Sequence, residues 1–151
     1  MQKNTTLGLI IVDHGSRRKE SNLMLEDFVC MFRKRHNTFN IVEPAHMELA
    51  EPSIASAFAK CVAQGASRIV VAPYFLAPGK HWNKDIPHLA ALASAQHNNI
   101  PFLVASPIGL HELMTDIIAS RIEYCLAHSE GKVEECATCH GTRRCRFSSA
   151  D

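Results

Sequence analysis

Two histidines stand where strands deliver chemistry. His14 follows an apolar run, Leu7 to Val12, in the sequence Asp13-His14-Gly15-Ser16. His81 follows a second such run, Arg68 to Tyr74, after a turn at Gly79, in Lys80-His81-Trp82-Asn83-Lys84-Asp85-Ile86-Pro87. Neutral imidazole is the commonest protein metal ligand and a ready proton acceptor near neutrality. At matching positions after two strands, each imidazole stands where a metal or a substrate would sit. Glu48 lies past a third strand pattern, in His46-Met47-Glu48-Leu49-Ala50-Glu51-Pro52. A carboxylate near two histidines supplies a third ligand or a proton acceptor. Strand alternation puts His46 on the same face as Glu48 for as long as the strand persists. Asp13 is either an acceptor that orients the His14 ring or a polar strand end. His36, His88, His97, His111 and His128 fall on helix surfaces or helix ends and read as structural.

The six cysteines divide into two groups. Cys30 and Cys61 fall inside apolar helical patterns and read as small core residues. Cys125, Cys136, Cys139 and Cys145 crowd the end of the chain. A disulfide framework would be spread along the sequence; this clustering favours metal or iron–sulfur ligation. The Cys136-x-x-Cys139 spacing grips one metal, Cys145 adds a third thiolate, and Cys125 or His140 completes the set. Thiolates suit both zinc and iron–sulfur centres.

Arg17, Arg18 and Lys19 follow His14 directly, and Lys80 and Lys84 flank His81. Cations at a helix start oppose its dipole, so a polyanionic substrate over the site would account for their placement. Trp82 either covers a flat aromatic ligand or packs on the following helix.

The elements that must position these groups can be read in order. Strand one runs from Leu7 to Asp13. A helix follows, with Ser21 as its N-cap and Leu23, Leu25, Phe28, Val29 and Phe32 at helical spacing to about His36. Asn40 to Met47 is the second strand, with Pro44 arguing for an edge. Ser53 opens a helix from Ile54 to Gln64, with Gly65 after its end. Arg68 to Tyr74 is the third strand, apolar on both faces. Phe75 to Asn83 is a loop long enough to act as a flap. Asp85 caps a third helix, with Pro87 in its first turn. Pro101 to Ala105 is the fourth strand. A fourth helix runs from about Leu110 to His128 with Leu113, Ile117, Ile118, Ile122 and Leu126 facing in. The order is (βα)4, an α/β fold with a parallel sheet and helices on both faces. Residues 1–130 form this lobe. Residues 131–151 form a cysteine-rich tail, which has too few large apolar residues for a core of its own.

The chain has 151 residues, enough for one core, and a net charge of +1, which gives no global field for nucleic acid. No apolar run reaches the ~20 residues of a membrane span.

Taken together, the strand ending in His14-Gly15-Ser16, the segment Glu48-Leu-Ala-Glu-Pro52, and Pro73-x-Phe75-Leu76 leading to Gly79-x-His81-x-x-x-Asp85-Ile86-Pro87 resemble the short class II chelatases, the sirohydrochlorin ferrochelatase family. The resemblance spans about Leu7 to Leu126, and the cysteine tail resembles the plant plastid form. It implies that His14 and His81 hold the incoming Fe2+, with Glu48 as the acidic catalytic group. It implies substrate contacts from Ser16, Arg17, Arg18, Phe75, Lys80, Trp82 and Lys84. A 2Fe–2S cluster on Cys125, Cys136, Cys139 and Cys145, a homodimer that completes the cleft, and a chloroplast stroma location are implied as well. The expected reaction is insertion of Fe2+ into sirohydrochlorin to give siroheme. A cobaltochelatase on the corrinoid route and a non-catalytic iron-binding or iron–sulfur module are the alternatives. No nucleic acid partner and no membrane span are expected.

Overall fold

The computed structural model describes residues 5–148. Four strands, β1 (Leu7–Asp13), β2 (Ile41–His46), β3 (Arg68–Pro73) and β4 (Phe102–Val104), form one parallel sheet in the order β2-β1-β3-β4. Between them come helices α1 (Lys19–Arg35), α2 (Ile54–Ala63) and α3 (Ile86–Ala95), and α4 (Leu113–Ser129) follows β4.

β1 is central and apolar on both faces because both faces are covered. Ile10 and Val12 pack with Phe58 of α2 and with Ile86 and Ala90 of α3, whereas Leu9 and Ile11 pack with Leu25 and Val29 of α1. This two-sided cover follows from connection handedness. The step from β1 to β2 runs one way along the sheet, and the steps from β2 to β3 and β3 to β4 run the other way. Right-handed crossovers then put α1 on one face and α2 and α3 on the opposite face. The direction reverses between the adjacent strands β1 and β3. That reversal opens a crevice at their carboxyl ends, the usual ligand position in such sheets.

α2 lies close on β1. A Cβ on Gly8 would meet the Cβ atoms of Cys61 and Ala66 at 3.0 Å each, so glycine is what permits the approach. Ser53 caps α2 by accepting from the Ser56 N–H, and Gly65 follows the helix end at φ 95°. Pro44 sits on β2, an edge strand, as its missing N–H requires.

Several local expectations fail. α1 starts at Lys19, so Ser21 lies inside it rather than capping it. The hydroxyl of Ser16 instead accepts from Arg18 N–H, and the Asn22 amide clamps the Ser16 backbone from both sides, accepting at 2.9 Å and donating at 2.8 Å. Cys30 is exposed, because α1 buries Leu25 and Val29 and turns position 30 outward; Cys61 is buried as expected. Leu23 is exposed as well. The segment from His81 to Asp85 is a single π-helical turn closed by Ile86 N–H to the His81 carbonyl, not part of a loop. Asp85 makes no cap to α3, since its side chain is taken by His81.

By its contacts the chain divides into two compact units, Met1–Gly109 and Leu110–Asp151. In the second, α4 buries none of its residues. Leu113, Ile117, Ile118, Ile122 and Leu126, expected to face in, are exposed. Among the described residues no helix is long and apolar enough to cross a membrane.

Candidate active site

His14 is the first residue beyond β1, and His81 opens the π-helical turn that follows β3. Because β1 and β3 are neighbours, the two rings meet at the sheet's carboxyl edge, edge to face, with centroids 4.9 Å apart. π-turns are rare and concentrate at functional sites. Here the turn puts His81 and Asp85 on one side, so that His81 Nδ1 lies 2.7 Å from Asp85 Oδ2. With Nδ1 donating to that carboxylate, Nε2 is left as a free lone pair. A carboxylate behind an imidazole fixes its tautomer and raises its basicity toward a metal.

His14 is held differently. Its Nδ1 lies 3.1 Å from the Gly15 carbonyl and its Nε2 lies 3.0 Å from Glu48 Oε1. A carbonyl can only accept, so Nδ1 is the donor. Nε2 then faces a carboxylate that also only accepts, and a proton or another cation must lie between them. The His14–Glu48 pair is thus a place where a metal ion can replace a proton.

Glu48 reaches His14 because β2 ends at His46 and the chain then turns, with Leu49 in the left-handed region at φ 69°. The alternation expected to keep His46 beside Glu48 is broken by that turn. His46 points into the core at 0% exposure, while Glu48 is half exposed. Asp13 does not orient His14. Its Oδ1 accepts from the Gly15 N–H at 3.0 Å and lies 2.6 Å from His46 Nδ1.

Arg17, Arg18, Lys80 and Lys84 are exposed and make no ion pair among the described residues. Phe75 packs partly on the core, its ring 6.5 Å from that of His81. The Trp82 indole N–H donates to the Ala105 carbonyl at 2.9 Å, which fixes a half-buried ring beyond the end of β4. His14, Glu48 and His81 are all solvent-accessible, and among the described residues no group of three or more His, Cys, Asp or Glu side chains is placed to hold a metal ion. An open pair of imidazoles suits an ion that must be handed on.

In the C-terminal unit the four late cysteines associate. The Cys139 thiol is pushed up to about 12 by hydrogen bonding with Cys145 and Cys136, and Cys125 is raised by burial and by Cys145. The Cys136 thiol is lowered, chiefly by the Cys139 backbone N–H. His140 turns outward toward Glu135 instead, at 3.4 Å and 82% exposed. Arg121, Arg144 and Arg146 line a hollow beside Cys125 and Cys145.

Sequence comparison places this arrangement. Residues 8–125 match the CbiX family model. The chain belongs to the CbiX family. A relative named sirohydrochlorin ferrochelatase, chloroplastic, from Arabidopsis thaliana is 56% identical over 93% of this chain, and the chain spans 62% of that relative's length. A sirohydrochlorin cobaltochelatase from Methanocaldococcus jannaschii is 34% identical over 75% of this chain and 95% of its own. Among solved structures, the sirohydrochlorin chelatase SirB from Bacillus subtilis in complex with cobalt superposes at TM-score 0.71 with 30% identity, covering 81% of this chain and 52% of that one. A CbiX protein from Marinobacter aquaeolei superposes at 0.65 with 28% identity, covering 82% of this chain and 99% of its own.

The sequence singles out both histidines and Glu48, and the structure brings all three to the same end of the sheet. Sequence reasoning missed Asp85, read as a cap, although its i, i+4 spacing from His81 on a helical turn was a usable signal. It also missed the Asp13–His46 and Ser16–Asn22 contacts, which depend on strand register and on where α1 starts.

Proposed function

We propose that this CbiX-family chain is a sirohydrochlorin ferrochelatase. The observation that carries the reading is the pair of imidazoles 4.9 Å apart at the sheet's reversal point, one backed by Asp85 and one facing Glu48. The 56% identity to a chain named for that activity supports the choice of iron. His14 and His81 take the substrate Fe2+ through their Nε2 atoms, and the ion displaces the proton otherwise held between His14 and Glu48. Transfer of the ion to the macrocycle frees two imidazole lone pairs. Metal insertion releases two pyrrole protons, and those two lone pairs can receive them. Imidazole holds Fe2+ less tightly than later divalent metals, which favours release. The exposed Arg17, Arg18, Lys80 and Lys84 attract the substrate's carboxylates, Phe75 and Trp82 flank the macrocycle, and Ser16 shapes the loop beneath it.

We read the four late thiols as cluster ligands, supported by their mutual hydrogen bonding. Cys125, Cys136, Cys139 and Cys145 would hold a 2Fe–2S centre that supplies one-electron redox chemistry, and the nearby arginines offset its negative charge. On this reading a tail of residues 131–151 would supply three of the four ligands and Cys125 the fourth, with residues 1–130 as the catalytic lobe. A second copy of the chain would complete the cleft as a homodimer, a reading supported by the apolar stripe that α4 leaves exposed. A plastid stroma location follows the relative's chloroplastic designation.

Cobalt is the competing metal, on the 34% identity to a cobaltochelatase. The test is anaerobic incubation of the full chain with sirohydrochlorin and limiting Fe2+ and Co2+ together, followed by absorption spectroscopy. Preferential appearance of siroheme supports the proposal. Preferential cobalt insertion assigns the corrinoid reaction, and an unchanged spectrum with either metal leaves a metal-holding module.

A further inference from the structure

We propose that Asp13 and His46 are positioning residues that fix the geometry of the His14–Glu48 pair, an inference that rests on the chelatase reading of that pair. One carboxylate oxygen, Asp13 Oδ1, holds both sides. It accepts from Gly15 N–H at 3.0 Å, on the residue after His14, and lies 2.6 Å from Nδ1 of His46, two residues before Glu48. Asp13 and His46 are direct partners in the β1–β2 register and are the last residues of their strands. Beyond them the backbones remain joined, by Met47 N–H to the Asp13 carbonyl at 2.9 Å and Glu48 N–H to the His14 carbonyl at 3.1 Å. There is no slack in the contact: a Cβ on Gly15 would sit 1.9 Å from the Glu48 carbonyl oxygen.

Packing alone does not explain a histidine here. Its neighbours Ala45 and Met47 are buried and apolar, and His46 itself is at 0% exposure. Among the described residues its buried Nε2 has no hydrogen-bond partner, a polar group left unsatisfied at a cost. An apolar side chain would fill the space without that cost. What only the imidazole provides is direction. Its Nδ1–H locks the Asp13 rotamer, the locked carboxylate fixes Gly15 N–H, and Gly15 sets how the chain leaves His14. Ligand pairs need placement to within about 0.5 Å, which supporting hydrogen bonds provide and loose packing does not.

The test compares His46→Phe, which fills the space without a donor, with His46→Gln, which keeps one, and with Asp13→Asn, all in the full chain. At fixed pH the 15N shift of His14 Nε2 reports its pairing, and Glu48→Gln sets the size of change for a lost pair. The expected result for His46→Phe is a melting temperature at or above wild type, a His14 shift at least half as large as that of Glu48→Gln, and kcat reduced about 10–100-fold with the KM for sirohydrochlorin within about twofold. His46→Gln recovers most of the shift and the rate, and Asp13→Asn falls between. Folded His46→Phe and Asp13→Asn proteins with wild-type His14 shift and kcat overturn the inference. A wild type with no chelatase activity but the same shift pattern overturns the chelatase reading and leaves the positioning claim supported.

Discussion

His81 and His14 differ in what stands behind them. Asp85 holds Nδ1 of His81 and leaves its Nε2 free, whereas His14 donates to the Gly15 carbonyl and turns Nε2 to Glu48. Asp85→Asn should therefore lower kcat about 10–100-fold with the fold unchanged, measured as siroheme formation beside a circular dichroism spectrum. A wild-type rate would remove Asp85 from the account. The cysteines allow a second check. Burial pushes the Cys61 thiol up to about 12, so it stays protonated and unreactive in the native state, whereas Cys30 is exposed. Thiol alkylation of the folded protein should label Cys30 and spare Cys61. The same shift fixes a pH dependence. A thiol raised in the folded state above its ordinary 9.0 stabilises fully below that value, and its contribution is lost as pH rises from about 9 toward about 12. The stability gap between wild type and Cys61→Ala should shrink across that window. His14 and His81 were legible in the sequence because strand ends are marked by apolar runs and glycine. Neither role open to Asp13, orienting His14 or simply ending the strand, pointed to its partner His46, which is 33 residues away and set by strand register.

The turn after β2 carries Glu48 and must be both tight and anchored. Gly15 sits at φ 88°, and any Cβ there collides with the Glu48 carbonyl. Gly15→Ala should cost at least about 1–3 kcal/mol by denaturant unfolding and reduce activity more than the lost stability explains. The entry to α2 is anchored by Glu51, which accepts from Ser53 N–H and Ser56 Oγ–H at 2.8 Å each. These bonds, the Ser53 one foremost, hold its carboxyl below the ordinary 4.5. A depressed pKa contributes stability above the unfolded value that is lost as pH falls through the folded one. Glu51→Gln should thus be less stable than wild type at pH 7, with the difference vanishing in acid; a constant difference would assign the effect to packing. The (βα)4 order was readable because β1 and β3 are apolar on both faces. Helix starts were less so. Ser21 looks like a cap in isolation, but Ser16 and Asn22 organise the turn and α1 begins earlier. The apolar period of α4 marks a helix face without saying what covers it, and the residues expected to face in are exposed.

For the molecule as a whole, the proposed function assigns the basic residues to substrate binding and sets the cysteine tail apart from the chemistry. Reversing the charge at two of Arg17, Arg18, Lys80 and Lys84 should raise KM for sirohydrochlorin more than it lowers kcat, with the effect fading in salt. An unchanged KM at low ionic strength would return them to plain surface. Deleting residues 131–151 removes three of the four clustered thiols and should bleach the protein while leaving measurable chelation. Complete inactivity of a folded truncation would place the tail in the reaction. The central claim is that both imidazoles at the sheet's reversal point carry the ion. Its most direct test is single-turnover siroheme formation, without air, by wild type, His14→Ala and His81→Ala, each shown to be folded. The account predicts that each variant loses at least about 100-fold in rate. Wild-type turnover by either folded variant would contradict it.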